Sequence, residues 1–185
     1  MSRTAMIARA GTIAAVYAAL TIATLQLPAQ LGWGLVQFRV SEAVTVLATL
    51  TPAAVPGLWL GTAVANGFMA SQVGPIAILD VVFGSIASLL GAAWAWRFRS
   101  RTALALLGPV LFNALIVPAY LPLLLAGFGL YEVPLLGVDL EGTWLAMYAF
   151  GFVAIAAGQA VIVYGLGWPL LAALRRTGIA ELLGE

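Results

Sequence analysis

The sequence predicts an all-α integral membrane protein with six transmembrane helices and both the N- and C-termini cytoplasmic. Three observations predict it. The chain is 63% hydrophobic and 8% charged, with a mean hydropathy of +1.08, whereas a soluble domain carries about 25% charged residues. Six apolar segments can be drawn, and 185 residues leave room for about six spans of ~20 residues. With the N-terminus inside, those six segments place Arg3, Arg9, Arg97, Arg99, Arg101, Arg175 and Arg176 on the cytoplasmic side, as the positive-inside rule favours.

The first segment, about 6–27, ends at Pro28. Its apolar run is longer than the 7–15 residues of a signal peptide, and Leu27-Pro28-Ala29-Gln30 is a poor cleavage site, so it reads as a retained helix. The second, about 38–51, is short and stopped by Pro52, and the third, about 55–70, begins beside Pro56. Both are short for a straight crossing of ~30 Å. The fourth runs from Pro75 to Trp96, the fifth spans about 102–126 and ends before Gly127-Phe128-Gly129, and the sixth, about 143–173, ends before Arg175-Arg176. Proline in a first turn and glycine after a last turn are the expected helix punctuation. The outer loops 28–37 and 127–142 are candidates for a lid over an outward site. Residues 1–185 thus read as one membrane-embedded domain.

Composition also excludes chemistry. The chain has no cysteine and no histidine, which removes disulfides, thiol catalysis, histidine bases and the commonest metal ligands. No protease motif and no phosphate-cradling glycine loop is present. Neither metal nor cofactor is expected, and a net charge of +1 draws in no nucleic acid.

Arg39 and Glu42 stand out. Each ionised group would cost roughly 2.5–3.5 kcal/mol at a bilayer centre. Three residues apart on a helix, they share a face and can pair. Asn66, Asp80, Asn113 and Gln159 are further polar residues in the apolar segments, and Trp33, Phe38, Trp144 and Tyr148 are aromatics toward the outer side. Polar groups with aromatic walls are what a small planar ligand needs. Each has a plainer reading: an ion pair between helices, interhelical hydrogen-bond glue, or an interfacial aromatic belt. The small residues Ala10, Ala14 and Ala18, with Gly11, Ala15 and Ala19 as a parallel stripe, would let another helix approach closely, in a partner or in the same chain. Gly57 and Gly61 form a second such pair, which reads as internal packing.

The segment Gln37-Phe38-Arg39-Val40-Ser41-Glu42-Ala43 followed by Leu47 resembles the QueT family. The alanine stripe, Pro56-Gly57-Leu58, Asp80 before Gly84, and Pro109 with Asn113 extend the resemblance. It implies a substrate-binding S component of an energy-coupling factor (ECF) transporter for queuosine precursors. In that scheme the chain sits in the cell membrane and captures a 7-deazaguanine from outside. A transmembrane coupling subunit and two ATPase subunits supply energy, so this chain would not be an enzyme. Ala10, Ala14 and Ala18 would be the docking face. Glu42 or Asp80 would hold the guanine edge and the other an aminomethyl cation. Arg39 would orient Glu42 or meet the ring carbonyl, with Asn113 and Trp33 or Trp144 completing the pocket. The alternatives are an S component for riboflavin, thiamine or folate, and a structural membrane protein without a ligand.

Overall fold

The structure is a computed structural model and describes residues 2–24, 39–127 and 144–183. Trp33, Phe38 and the loop residues 28–37 and 128–142 lie outside the described residues. Every element described is helical: α1 (Arg3–Thr24), a 3₁₀ helix (Val40–Thr49), α2 (Ala54–Val73), α3 (Ser85–Arg97), α4 (Thr102–Gly127), α5 (Trp144–Ile162), α6 (Trp168–Arg176) and α7 (Ile179–Leu183). A π-turn, Asp80–Gly84, leads into α3, and another, Val163–Gly167, joins α5 to α6. Four stretches among the described residues are long and apolar enough to cross a membrane: Arg3–Thr24, Pro75–Arg97, Thr102–Leu123 and Trp144–Arg176. The third expected segment forms a longer helix than its apolar run suggested, and α7 was not expected at all.

The contacts between elements fix their directions. Gly57 packs on Ala10 and Gly61 on Ala14, so α1 and α2 run parallel. The segment between them must return: Tyr17 meets Glu42 and Thr21 meets Ser41, which sets the 3₁₀ helix antiparallel to α1. Thr62 meets Ser88 and Asn66 meets Asp80, setting α2 against α3. Trp94 donates to the Leu104 carbonyl at 2.9 Å, and Tyr164 to the Ala103 carbonyl at 2.8 Å, which reverses α4 and then α5–α6. Among the described residues the helices therefore alternate in direction through six strokes. Seven arginines gather at one end, and Arg39 lies toward the other.

The 3₁₀ helix is the axis of the bundle. Ten residues is long for this helix type, whose rise of ~2.0 Å per residue gives about 20 Å. Irregular or strained backbone at membrane depth is tolerated where protein covers it, and Ser41 to Val46, Ala48 and Thr49 are all buried. Local chemistry favours the tighter winding. Thr45 donates to the Glu42 carbonyl at 2.6 Å and Thr49 to the Val46 carbonyl at 2.8 Å, closing i→i−3 links along a β-branched run that is stiff at χ1. Gly167 lets the second π-turn lie against this helix: a Cβ there would stand 2.7 Å from Val46 Cγ1.

Gly57 and Gly61 work in the same way on α1. A Cβ on either would lie 2.8 Å from a backbone oxygen, of Ala10 or Ala14. Backbone cannot swing aside as a side chain can, so Gly61→Val should destabilise the protein by about 1–3 kcal/mol, the usual range for overpacking. Gly11→Val, with nothing within 4 Å of its Cβ position, should be near neutral. Thermal unfolding of the two purified variants in one detergent checks the contrast.

Candidate functional site

The buried polar side chains form two linked clusters. In the first, Arg39 Nη2 meets Asp80 Oδ2 at 3.3 Å, and both side chains are about nine-tenths buried. The Tyr120 hydroxyl donates to Asp80 Oδ1 at 2.6 Å. Asn66 donates to the Asp80 backbone carbonyl at 2.8 Å. Asp80 opens the π-turn, and the wider winding exposes that carbonyl to a side chain; π-bulges recur at functional sites for this kind of reason. Gly84 closes the same turn. A Cβ there would lie 2.8 Å from Asp80 Oδ1, 2.9 Å from Asn66 Nδ2 and 3.3 Å from the Tyr120 oxygen. The three polar groups converge because position 84 carries no side chain.

In the second cluster the Tyr17 hydroxyl donates to Glu42 Oε1. Gln159 lies against the same carboxyl group, and the Thr62 hydroxyl lies beside that of Tyr17. Arg39 stands within electrostatic reach of Glu42, Tyr17 and Tyr120, which joins the two clusters.

Arg39 and Glu42 do not pair as their spacing suggested. Arg39 precedes the 3₁₀ helix with extended backbone, φ −88° and ψ 103°. Its carbonyl accepts from Glu42 N at 2.9 Å, but its side chain leaves the helical ladder and crosses to Asp80. Glu42 turns instead to Tyr17 and Gln159. Asn66, Asp80 and Gln159 join the assembly. Asn113 is buried but donates to the Pro109 carbonyl of its own helix at 2.9 Å. Trp144 and Tyr148 stack on each other, ring centroids 5.2 Å apart. They donate to the Ala119 and Leu115 carbonyls at 3.1 and 3.0 Å. Those bonds hold α5 to α4, and Trp144 is half exposed.

Two of the three expected docking residues face the interior, and the third, Ala10, is half-buried. Ala14 and Ala18 are buried, and the Ala10 and Ala14 carbonyls sit against Gly57 and Gly61. Close approach of α2 uses this face. Gly11, Ala15 and Ala19, the parallel stripe, face outward, and Gly11 and Ala10 line a groove of about 500 Å³ with Ile7, Trp59 and Leu60.

Sequence reasoning named neither Tyr17 nor Tyr120 as a member of the site. A tyrosine within an apolar stretch was itself a signal, since a buried hydroxyl needs a partner.

Among the described residues, four atoms on buried or nearly buried side chains have no hydrogen-bond partner: Arg39 Nε, Glu42 Oε2, Gln159 Oε1 and Thr51 Oγ1. The first three belong to the joined clusters. Buried polar groups are overwhelmingly paired, so these three atoms leave the polar interior incompletely satisfied among the described residues. No group of three or more metal-ligating side chains exists among the described residues.

A helical bundle with four stretches long and apolar enough to cross a membrane has the architecture of a multi-pass membrane protein. The QueT transporter family matches residues 7–176, and the chain belongs to that family. It is thus a member of a membrane transporter family, and its substrate is a small molecule. No curated protein and no solved structure matches it.

The Arg39–Asp80 contact yields a test. Removing one partner of a buried ion pair leaves an uncompensated charge, at a cost of about 3–5 kcal/mol. Asp80→Leu should therefore lower the unfolding midpoint far more than the double change Arg39→Met with Asp80→Leu, measured as a double-mutant cycle on purified protein.

Proposed function

We propose that this chain is the S component of an ECF transporter and binds a queuosine precursor, a 7-deazaguanine such as queuine or its aminomethyl precursor. The observation that carries the reading is the set of unpartnered polar atoms on Arg39, Glu42 and Gln159, each on a buried or nearly buried side chain. A planar heterocycle with ring N–H, amine and carbonyl groups supplies the missing partners. Membership of a transporter family with a small-molecule substrate supports this reading.

In this reading all six strokes cross the membrane. The arginine-rich end, with both termini, is cytoplasmic in the plasma membrane, and Arg39 marks the outer half. The chain itself hydrolyses nothing: a transmembrane coupling subunit and two ATPase subunits drive release. The outward face of α1, Gly11, Ala15 and Ala19, receives the coupling subunit, because the opposite face is already occupied by α2.

Equilibrium binding of queuine, the aminomethyl precursor and guanine to the purified chain tests the substrate. Saturable binding without ATPase subunits is expected. Glu42→Gln keeps an acceptor for Tyr17 but removes the charge, and should weaken binding roughly tenfold to a hundredfold, as charge-assisted bonds of about 1.5–3 kcal/mol imply. Unchanged affinity in both Glu42→Gln and Asp80→Asn rejects the site. For docking, Gly11→Leu with Ala15→Leu should abolish uptake in cells supplying the partner subunits, while ligand binding by the isolated chain persists. Loss of binding as well would place that face inside the fold.

A further inference from the structure

We infer that Arg39, Glu42 and Gln159 form one reading edge, and that Gln159 is the residue selecting an exocyclic amine on the ligand. This rests on the reading of the joined clusters as the substrate site, and it goes further by assigning each group a job.

The assignment follows from elimination within the clusters. Asp80 has both carboxylate oxygens engaged, one by Arg39 Nη2 and one by the Tyr120 hydroxyl. Its role is to hold Arg39, which makes it a positioning residue. The Tyr17 hydroxyl proton goes to Glu42 Oε1, and the Asn66 amide donates to the Asp80 carbonyl. One donor, Arg39 Nε, and two acceptors, Glu42 Oε2 and Gln159 Oε1, are left over. Thr51 Oγ1, the fourth unpartnered atom, lies beyond the far end of the 3₁₀ helix and is a separate matter.

Glu42 is the middle member. It is three residues from Arg39 and within its electrostatic reach, and Gln159 lies against its carboxyl group. The edge therefore reads donor, acceptor, acceptor. Its complement is a carbonyl oxygen, a ring N–H and an amine N–H in that order, which is the hydrogen-bonding edge of a guanine-type ring. A ring without the amine leaves Gln159 Oε1 orphaned. A ring with an amine in place of the carbonyl sets a donor against Arg39 Nε. An isoalloxazine edge, acceptor–donor–acceptor, sets a carbonyl against Gln159 Oε1. A pterin has the guanine order and fits. Specificity of this kind comes from what a wrong ligand leaves unpaired.

A matched pair of probes isolates Gln159. 7-Deazaguanine and 7-deazahypoxanthine differ only in the exocyclic amine. Binding of each to the purified full-length chain should favour 7-deazaguanine by about tenfold or more, the range expected for one orphaned buried acceptor. Gln159→Leu should bring the ratio close to one, chiefly by weakening 7-deazaguanine. Gln159→Met, of similar length, should do the same and serves if the leucine variant does not fold. A ratio near one in the wild type, or a wild-type ratio kept by a folded variant, overturns the edge assignment. If queuine still binds in that case, the S-component reading stands. If queuine, guanine and both probes all fail to bind, both readings fall.

Discussion

A guanidinium among apolar helices has to find its counter-charge nearby, and the architecture of this bundle is organised around that requirement. Arg39 reaches Asp80 across 41 positions of sequence. To do so it must stand outside the helical ladder, and the residue after it must start a helix narrow enough to run through the centre of the bundle. The 3₁₀ winding of Val40–Thr49 provides both. It also aims Glu42, one turn further on, away from Arg39 and toward Tyr17 and Gln159. A buried ion pair is weak evidence of stability for its own sake. Here its consequence is geometric: it ties the head of the axial helix to the π-turn at Asp80–Gly84 and leaves Arg39 Nε unengaged beside Glu42.

The two π-turns have a common logic. Each ends in a glycine, and each glycine allows a close approach: Gly84 to the Asp80, Asn66 and Tyr120 groups, Gly167 to Val46 and Ala43. An α-helical continuation would rotate the flanking side chains away from these contacts. The irregular backbone sits where the polar groups converge, and the interior location satisfies the demand that such backbone be covered by protein in a membrane.

Much of the fold was legible in the sequence because its signals are local. An apolar run with proline or glycine punctuation located Pro75–Arg97 and Thr102–Gly127 to within a residue or so. The winding of residues 40–49 was not legible. Periods of 3.0 and 3.6 cannot be told apart over ten residues that are nearly all apolar or small and all bound for the interior. The partner of Arg39 was hidden for a related reason: helical spacing nominates Glu42, but the cap conformation at Arg39, which spacing does not encode, removes it from the helix. Asn66, Asp80 and Gln159 were found as costly polar residues in apolar segments, a signal independent of winding. Trp144, Tyr148 and Asn113 gave the same signal, yet their donors go to backbone carbonyls of α4. The alanine stripe was ambiguous by symmetry. Both faces of α1 carry small residues, and the choice between them lies in Gly57 and Gly61, forty-odd residues away.

That choice gives α1 its place in the mechanism proposed above. On its inner side Tyr17 holds Glu42, and Gly61 packs against Tyr17 Cβ and the Ala14 backbone. On its outer side Gly11, Ala15 and Ala19 are exposed. Packing this close leaves α1 and α2 no room to slide independently, since interiors packed to crystalline density transmit displacement rather than absorb it. A ligand engaging Glu42 thus acts on the carboxyl group that anchors α1. A partner engaging the outer stripe acts on the same rigid pair from behind. In the proposed reading one helix is both a wall of the site and the docking face, so a ligand that shifts Tyr17 and a coupling subunit would each sense the other without a separate relay.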